Sequence, residues 1–314
     1  MSKILITGGF GFVGGRLSRR LSEEHEVWAS SRKPVEENIL NLHGGIKRID
    51  HAMLLQEATF PGSFDAVIHL AALNEIDCVK YPSEAIRVNI DETRIILENS
   101  IARKIDQFIY FSTAHVYGAP LVGSISEDTI TRAVHPYSIT HRAAEDYIVA
   151  ATQQKKIQGT VIRLSNAFGA PVSPHVNRWT LLANDLCRQA VEKGKLTLRS
   201  NGCQYRDFIC ITDVEEVIAK MLTSPKPLSK IIYNLGSGIS MRVIDMADMI
   251  IQTAVTVLQK NISLDLPADQ IPSREPSLNY SVRRLLDEGY QIANDVNLEL
   301  ERLLQFCSEN FARN

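Results

Sequence analysis

The chain has 314 residues, 45% hydrophobic and 22% charged, with a formal net charge of −2. This is a globular composition, long enough for one large domain or two unequal ones, and the near-neutral charge excludes the basic field that nucleic acid or an anionic membrane would demand. Five scattered cysteines (Cys78, Cys187, Cys203, Cys210, Cys307) without a Cys-x-x-Cys pair argue against a disulfide framework or a zinc site and for a reducing cytoplasm.

The chain opens on a strand, Ile4-Leu5-Ile6, so no signal peptide is expected, and no apolar run reaches the length of a membrane span. The strand runs into Thr7-Gly8-Gly9-Phe10-Gly11-Phe12-Val13-Gly14 and then a helical segment with Val13, Leu17 and Leu21 on one face. Strand, glycine turn and helix are the context a dinucleotide fingerprint requires. Gly8 permits the tight turn, Gly11 lets the backbone approach a pyrophosphate, and Gly14 lets the helix pack closely. The helix N-terminus around Phe12, Val13 and Gly14 offers N–H groups and a positive dipole end to the phosphates.

Further strands are expected at Glu26–Ala29, Gly45–Ile49, Phe64–Leu70, Phe108–Phe111 and Gly159–Leu164, with helices over Pro82–Arg103 and Tyr137–Ala151 between them. The alternation predicts a doubly wound, parallel Rossmann-type α/β sheet. Beyond about residue 170 the rhythm loosens. A helix is expected over Trp179–Glu192, a strand at Lys195–Leu198, a helix at Asp213–Leu222 and a strand at Ile231–Leu235, followed by a proline-bearing last quarter. The expected organisation is a dinucleotide-binding domain over 1–170 and a smaller substrate lobe over 171–314, with some segments returning to the sheet. Ligand should bind at the carboxyl ends of the strands.

The motifs resemble those of the extended short-chain dehydrogenase/reductases, in the nucleotide-sugar epimerase/dehydratase branch. They are the turn at Thr7–Gly14, His69-Leu70-Ala71-Ala72, Asn89 in Arg-Val-Asn, Ser112–Gly118, Tyr137, and Arg163-x-x-Asn166-x-x-Gly169. Gly202–Phe208, Asp213-Val214 and Asn234-Leu235-Gly236 follow in the same order. The resemblance implies hydride chemistry at C4 of a nucleotide-diphosphate sugar, by a 4-epimerase or a 4-dehydrogenase/ketoreductase. A non-catalytic NADP-binding sensor is the alternative, and a 4,6-dehydratase ranks third, because Thr113-Ala114-His115 lacks the Asp-Glu pair of that reaction.

By the same resemblance Tyr137 is the acid/base, and Thr113 hydrogen-bonds the reacting oxygen. His115 is either a second acid/base or a pocket-lining hydrogen-bonder. The family's cation four residues after the tyrosine is a lysine; here it is His141, which shares a helix face with Tyr137 and would substitute only while protonated. Cofactor contacts are implied for Leu70, Ala71, Ala72, Asn89 and, at the adenine, Asp50. No acid follows the second strand, and Ser31 and Arg32 could instead face a 2′-phosphate, so NADP is favoured over NAD. Asn166, Arg178, Arg206 and Arg274 are the candidate substrate ligands, an arginine fork matching phosphate oxygens. No metal is expected. A homodimer through Pro82–Arg103 and Tyr137–Ala151 completes the expectation.

Overall fold

The computed structural model describes residues 1–35, 37–224, 226–267 and 275–312. In chain order the first elements are β1 (Lys3–Thr7), α1 (Phe12–Leu21), β2 (Glu26–Ser31), α2 (Glu37–Leu42), β3 (Lys47–Asp50), β4 (Ala66–His69), α3 (Glu75–Lys80), α4 (Pro82–Ile86), α5 (Thr93–Ala102) and β5 (Gln107–Thr113). They continue with β6 (Gly123–Ile125), α6 (Pro136–Gln153), β7 (Gln158–Leu164), β8 (Asn166–Phe168), α7 (Leu182–Lys193), β9 (Lys195–Thr197), β10 (Tyr205–Cys210) and α8 (Ile211–Thr223). The last are β11 (Ile232–Leu235), β12 (Ser240–Arg242), α9 (Val243–Leu258), β13 (Ser263–Asp265), β14 (Leu278–Tyr280), α10 (Arg283–Asp287) and α11 (Val296–Phe311).

Two compact units emerge. The first comprises Met1–Pro120, Glu127–Leu164 and Ile218–Asn234; the second comprises Leu121–Ser126, Ser165–Val217 and Leu235–Asn314. The first unit holds a seven-stranded sheet in the order β11-β7-β5-β4-β1-β2-β3. Its paired strands from β7 to β3 are parallel. The inner strands β1, β4, β5 and β7 are buried on both faces, as a sheet covered by helices demands, whereas the edge strand β3 buries only Ile49. This is the expected Rossmann-type fold. The strand order reverses between β1 and β4, and such a switch point opens a crevice at the carboxyl ends of those strands.

The expected continuous helix over Pro82–Arg103 is instead three pieces, with a π-helical turn at Arg87–Glu92 joining α4 to α5. The wider turn coincides with the burial of Asn89 and Glu92. In the second unit the helices after residue 180 pack around a core of their own. There α7, α9 and α11 enclose Leu186, Cys187, Ile250, Leu303 and Leu304.

Candidate active site

The glycine turn lies at the switch point. Gly8 has a φ of +69°, and a Cβ there would lie 3.1 Å from the Ala71 nitrogen. At Gly14 a Cβ would come 2.2 Å from the Gly8 carbonyl oxygen, so only glycine lets α1 start this close to the turn. Gly11 is the N-cap of α1, with no side-chain cap and no acid in the first turn. The first N–H groups of the helix are therefore left to an anion. These features fit the pyrophosphate of a dinucleotide.

A hydrogen-bonded train runs from this turn to α6. The Leu70 and Ala71 N–H groups both donate to Thr7 Oγ1 at 3.2 Å. Thr7 Oγ1 lies 2.8 Å from His69 Nδ1, and His69 Nε2 lies 2.9 Å from Thr93 Oγ1, which donates to the Asn89 carbonyl at 2.9 Å. Every proton is used if His69 is neutral and protonated on Nε2. Burial indeed pushes its pKa down to about 3. The Asn89 side chain continues the train, accepting from Leu73 N at 2.7 Å and donating to Thr140 Oγ1 at 2.9 Å. Both ends of this amide are thus engaged by the protein, tying the loop after β4 to the first turn of α6.

Tyr137 stands in that first turn, half-buried. Pro136 precedes it in the opening turn of α6, and His135 is the cap, its Nδ1 accepting from Tyr137 N at 3.2 Å. One turn on, His141 is buried, its ring 4.4 Å from that of Tyr137 at an edge angle of 65°. His141 Nδ1 lies 2.7 Å from the hydroxyl of Tyr110 on β5, a partner the sequence did not signal.

Thr113 ends β5. Its Oγ1 accepts from His115 N at 3.2 Å and caps the short turn Ala114–Tyr117, which exposes His115. Glu145, the acid of a buried ion pair, ties this strand end and the neighbouring β7 to the tyrosine helix. Glu145 on α6 takes two guanidinium bonds from Arg163 on β7, at 3.0 and 2.6 Å, and one from Ser112 Oγ at 2.6 Å. Arg163 also donates to Tyr117 Oη at 2.9 Å, and Tyr117 donates to Asn234 Oδ1 at 2.7 Å. Burial pushes the Tyr117 phenol up to about 12, so it stays a donor.

Ser31 is the last residue of β2, and the Arg32 guanidinium beyond it donates to the Ala72 carbonyl at 3.1 Å. Asp50, exposed at the end of β3, caps the next turn by accepting from Ala52 N at 3.0 Å.

In the second unit Asn166 begins β8 and donates to the Asp207 carbonyl at 2.8 Å. Arg206, on β10, is half-buried, and desolvation lowers its pKa. No carboxylate pairs with it among the described residues, so its charge is left for an anion. Its neighbour Asp207 is fully engaged. It accepts from Ser165 Oγ, from the Ser237 nitrogen and hydroxyl, and from Gly238 N, at 2.6–3.0 Å. Arg178 is half-buried in the turn before α7. Arg274 lies outside the described residues. Among the described residues no cluster of His, Cys, Asp and Glu could hold a metal.

A glycine turn at the switch point of a parallel sheet, with a threonine and a helix-borne tyrosine at the same strand ends, defines a dinucleotide-binding protein of the Rossmann class. More particularly, the model of the NAD dependent epimerase/dehydratase family matches residues 4–236, and the chain belongs to that family. It is 27% identical over 266 residues to dTDP-D-glucose 4,6-dehydratase of Homo sapiens, covering 80% of this chain and 73% of that protein. It is 24% identical over 308 residues to UDP-arabinose 4-epimerase 1 of Arabidopsis thaliana, covering 87% and 70%. Its fold matches UDP-glucuronic acid 4-epimerase from Bacillus cereus, solved with UDP-4-deoxy-4-fluoro-glucuronic acid and NAD. That match has a TM-score of 0.82 at 23% identity and covers 98% of this chain and 99% of that one.

Proposed function

We propose that this protein is an NAD(P)-dependent oxidoreductase that acts at C4 of a nucleotide-diphosphate sugar, as a 4-epimerase or a 4-dehydrogenase/ketoreductase. The observation that carries this is the joining of Thr113 and Tyr137. Glu145, on the helix bearing Tyr137, accepts from Ser112 beside Thr113 at the end of β5 and from Arg163 on the neighbouring β7. The nicotinamide ring supplies the acceptor and donor of hydride. Tyr137 Oη takes the proton of the reacting sugar hydroxyl, leaving a ketone at C4, and returns it when the ketone is reduced. Thr113 Oγ1 hydrogen-bonds the same oxygen and holds it toward Tyr137. His141 lies beside Tyr137 for the nicotinamide ribose, and His115 lines the pocket. Chemistry of the 4,6-dehydratase type has less support despite the relative of that name. Positions 114 and 115 carry Ala and His where a carboxylate would remove the second proton.

Gly8, Gly11, Phe12, Val13 and Gly14 hold the pyrophosphate, Leu70, Ala71 and Ala72 line the nucleotide, and Asp50 meets the adenine amino group. Ser31 and Arg32 favour NADP, since no acid occupies the end of β2 and a guanidinium does. Arg206, supported by its half-buried charge, takes the sugar-nucleotide diphosphate with Asn166 and Arg178. Arg274 remains a fourth candidate. The homodimer forms through α4–α5 and α6, where Ile86, Ile139 and Tyr147 are exposed at 53%, 49% and 43%. No described helix is long and apolar enough to cross a membrane, and we place the reaction in the cytoplasm. The test is incubation of the purified protein and its Tyr137→Phe variant with UDP- and dTDP-sugars, followed by mass spectrometry and proton NMR. Tyr137-dependent change at C4 is expected. A product independent of Tyr137, or none from any nucleotide sugar, overturns the proposal.

A further inference from the structure

Tyr110 is enclosed by protein, only 2% exposed, and among the described residues its hydroxyl has one polar partner, His141 Nδ1 at 2.7 Å. Burial holds the phenol far above its usual pKa, so it keeps its proton at any physiological pH. The hydrogen bond can be written two ways. If Nδ1 carried a proton and donated to the phenol oxygen, the Tyr110 O–H would be left in the interior with no acceptor, the costly arrangement for a buried donor. If the O–H donates to Nδ1, the phenol proton has its acceptor and one buried polar atom, His141 Nε2, is left without a hydrogen bond to the described residues, where the first arrangement leaves two.

We infer that Tyr110 is a positioning residue that holds His141 as the neutral tautomer with its proton on Nε2, so that the position one turn after Tyr137 presents an N–H donor and no cation. A lysine there would bring a charge. This histidine brings a single directed donor, suited to a ribose hydroxyl or to the oxygen of Tyr137.

The groups around the pair agree. His69, stacked on Tyr110 at 5.9 Å, is itself neutral and adds no proton to share. Tyr137 meets His141 by an edge. Glu145 is the one nearby carboxylate on α6 that would favour an imidazolium, and Arg163 and Ser112 already occupy it.

The role of this donor in catalysis rests on the proposed function; the protonation state of His141 does not, and it can be read separately. Long-range nitrogen–proton NMR of ring-labelled histidines, with His141 assigned through a His141→Gln variant, reports the tautomer directly. The wild-type protein is expected to show Nε2-protonated, neutral His141 with no titration from about pH 5.5 to 8.5. In Tyr110→Phe, His141 is expected to become a tautomer mixture or to titrate in that range. The rate profile of the wild type then has no limb belonging to His141, whereas Tyr110→Phe gains one. A wild-type His141 that is protonated on Nδ1, or that titrates within the range, overturns the inference whatever Tyr110→Phe does. A protein with the expected tautomer that turns over no nucleotide sugar overturns the proposed function alone.

Discussion

Glu145 and Arg163 meet as a buried, two-bonded ion pair between the tyrosine helix and the strand beside β5, with side-chain exposures of 0% and 3%. Such a pair is weak evidence for net stability but leaves a stranded charge when one partner is removed. Glu145→Gln should therefore lower unfolding stability by about 3–5 kcal/mol in urea melts. It should also lower turnover more than dinucleotide affinity, because Ser112, Thr113 and Tyr137 lose their common anchor. A loss below about 1 kcal/mol, a surface-like value, would mean the pair is not buried as described.

The close start of α1 gives a second expectation. A methyl at Gly14 would lie 2.2 Å from the Gly8 oxygen, so the turn or the helix must move. Gly14→Ala should weaken dinucleotide binding at least about tenfold, or about 1.4 kcal/mol, measured by calorimetry. An unchanged affinity would separate the turn from the cofactor.

Acid sensitivity follows from the buried histidine of the train. The His69 pKa falls from an unfolded value of 6.5 to about 3 in the folded protein. The unfolded chain binds the proton first. Its contribution is complete above about pH 6.5 and is lost progressively as pH falls toward 3, at up to about 1.4 kcal/mol per pH unit. Between pH 7 and 5, His69→Gln should show a shallower fall in denaturation free energy than the wild type, whatever its absolute stability. Parallel curves would contradict the neutral assignment.

The two arginines separate cofactor from substrate. Arg32→Ala should weaken NADP and leave NAD nearly unchanged, read by titration of apo protein with each dinucleotide. Tighter binding of NAD than of NADP by the wild type would instead remove the 2′-phosphate role. Arg206→Ala should leave both dinucleotides alone and weaken the sugar nucleotide by about 2–5 kcal/mol, the loss typical of a desolvated charged contact. Equal substrate affinity in the variant would take Arg206 out of the site.

The strands and the glycine turn were legible because their signals are local: apolar runs of four to seven residues and glycines at fixed offsets. Other features depend on distant partners. The π-helical turn at Arg87–Glu92 carries no residue pattern distinct from a helix, and it arises where Asn89 meets Leu73 and Thr140. Tyr110 read only as an apolar strand residue; its meeting with His141 requires β5 to lie under α6. Glu145 looked like any polar residue of a helix until Arg163 was placed against it. His135, by contrast, could have been found, since it precedes a proline at a helix start and three residues later comes Ser138.

On the proposed function, hydride leaves and re-enters C4 of a nucleotide sugar under the control of Tyr137. A nucleotide sugar carrying deuterium at C4, incubated with the protein and analysed by mass spectrometry of both sugar and dinucleotide, tests it most directly. The label is expected to move to the nicotinamide of the dinucleotide, or to return to C4 of the opposite epimer, and Tyr137→Phe is expected to abolish both while still binding dinucleotide. Label that stays in unreacted sugar, across UDP- and dTDP-sugars and with either dinucleotide supplied, would contradict it.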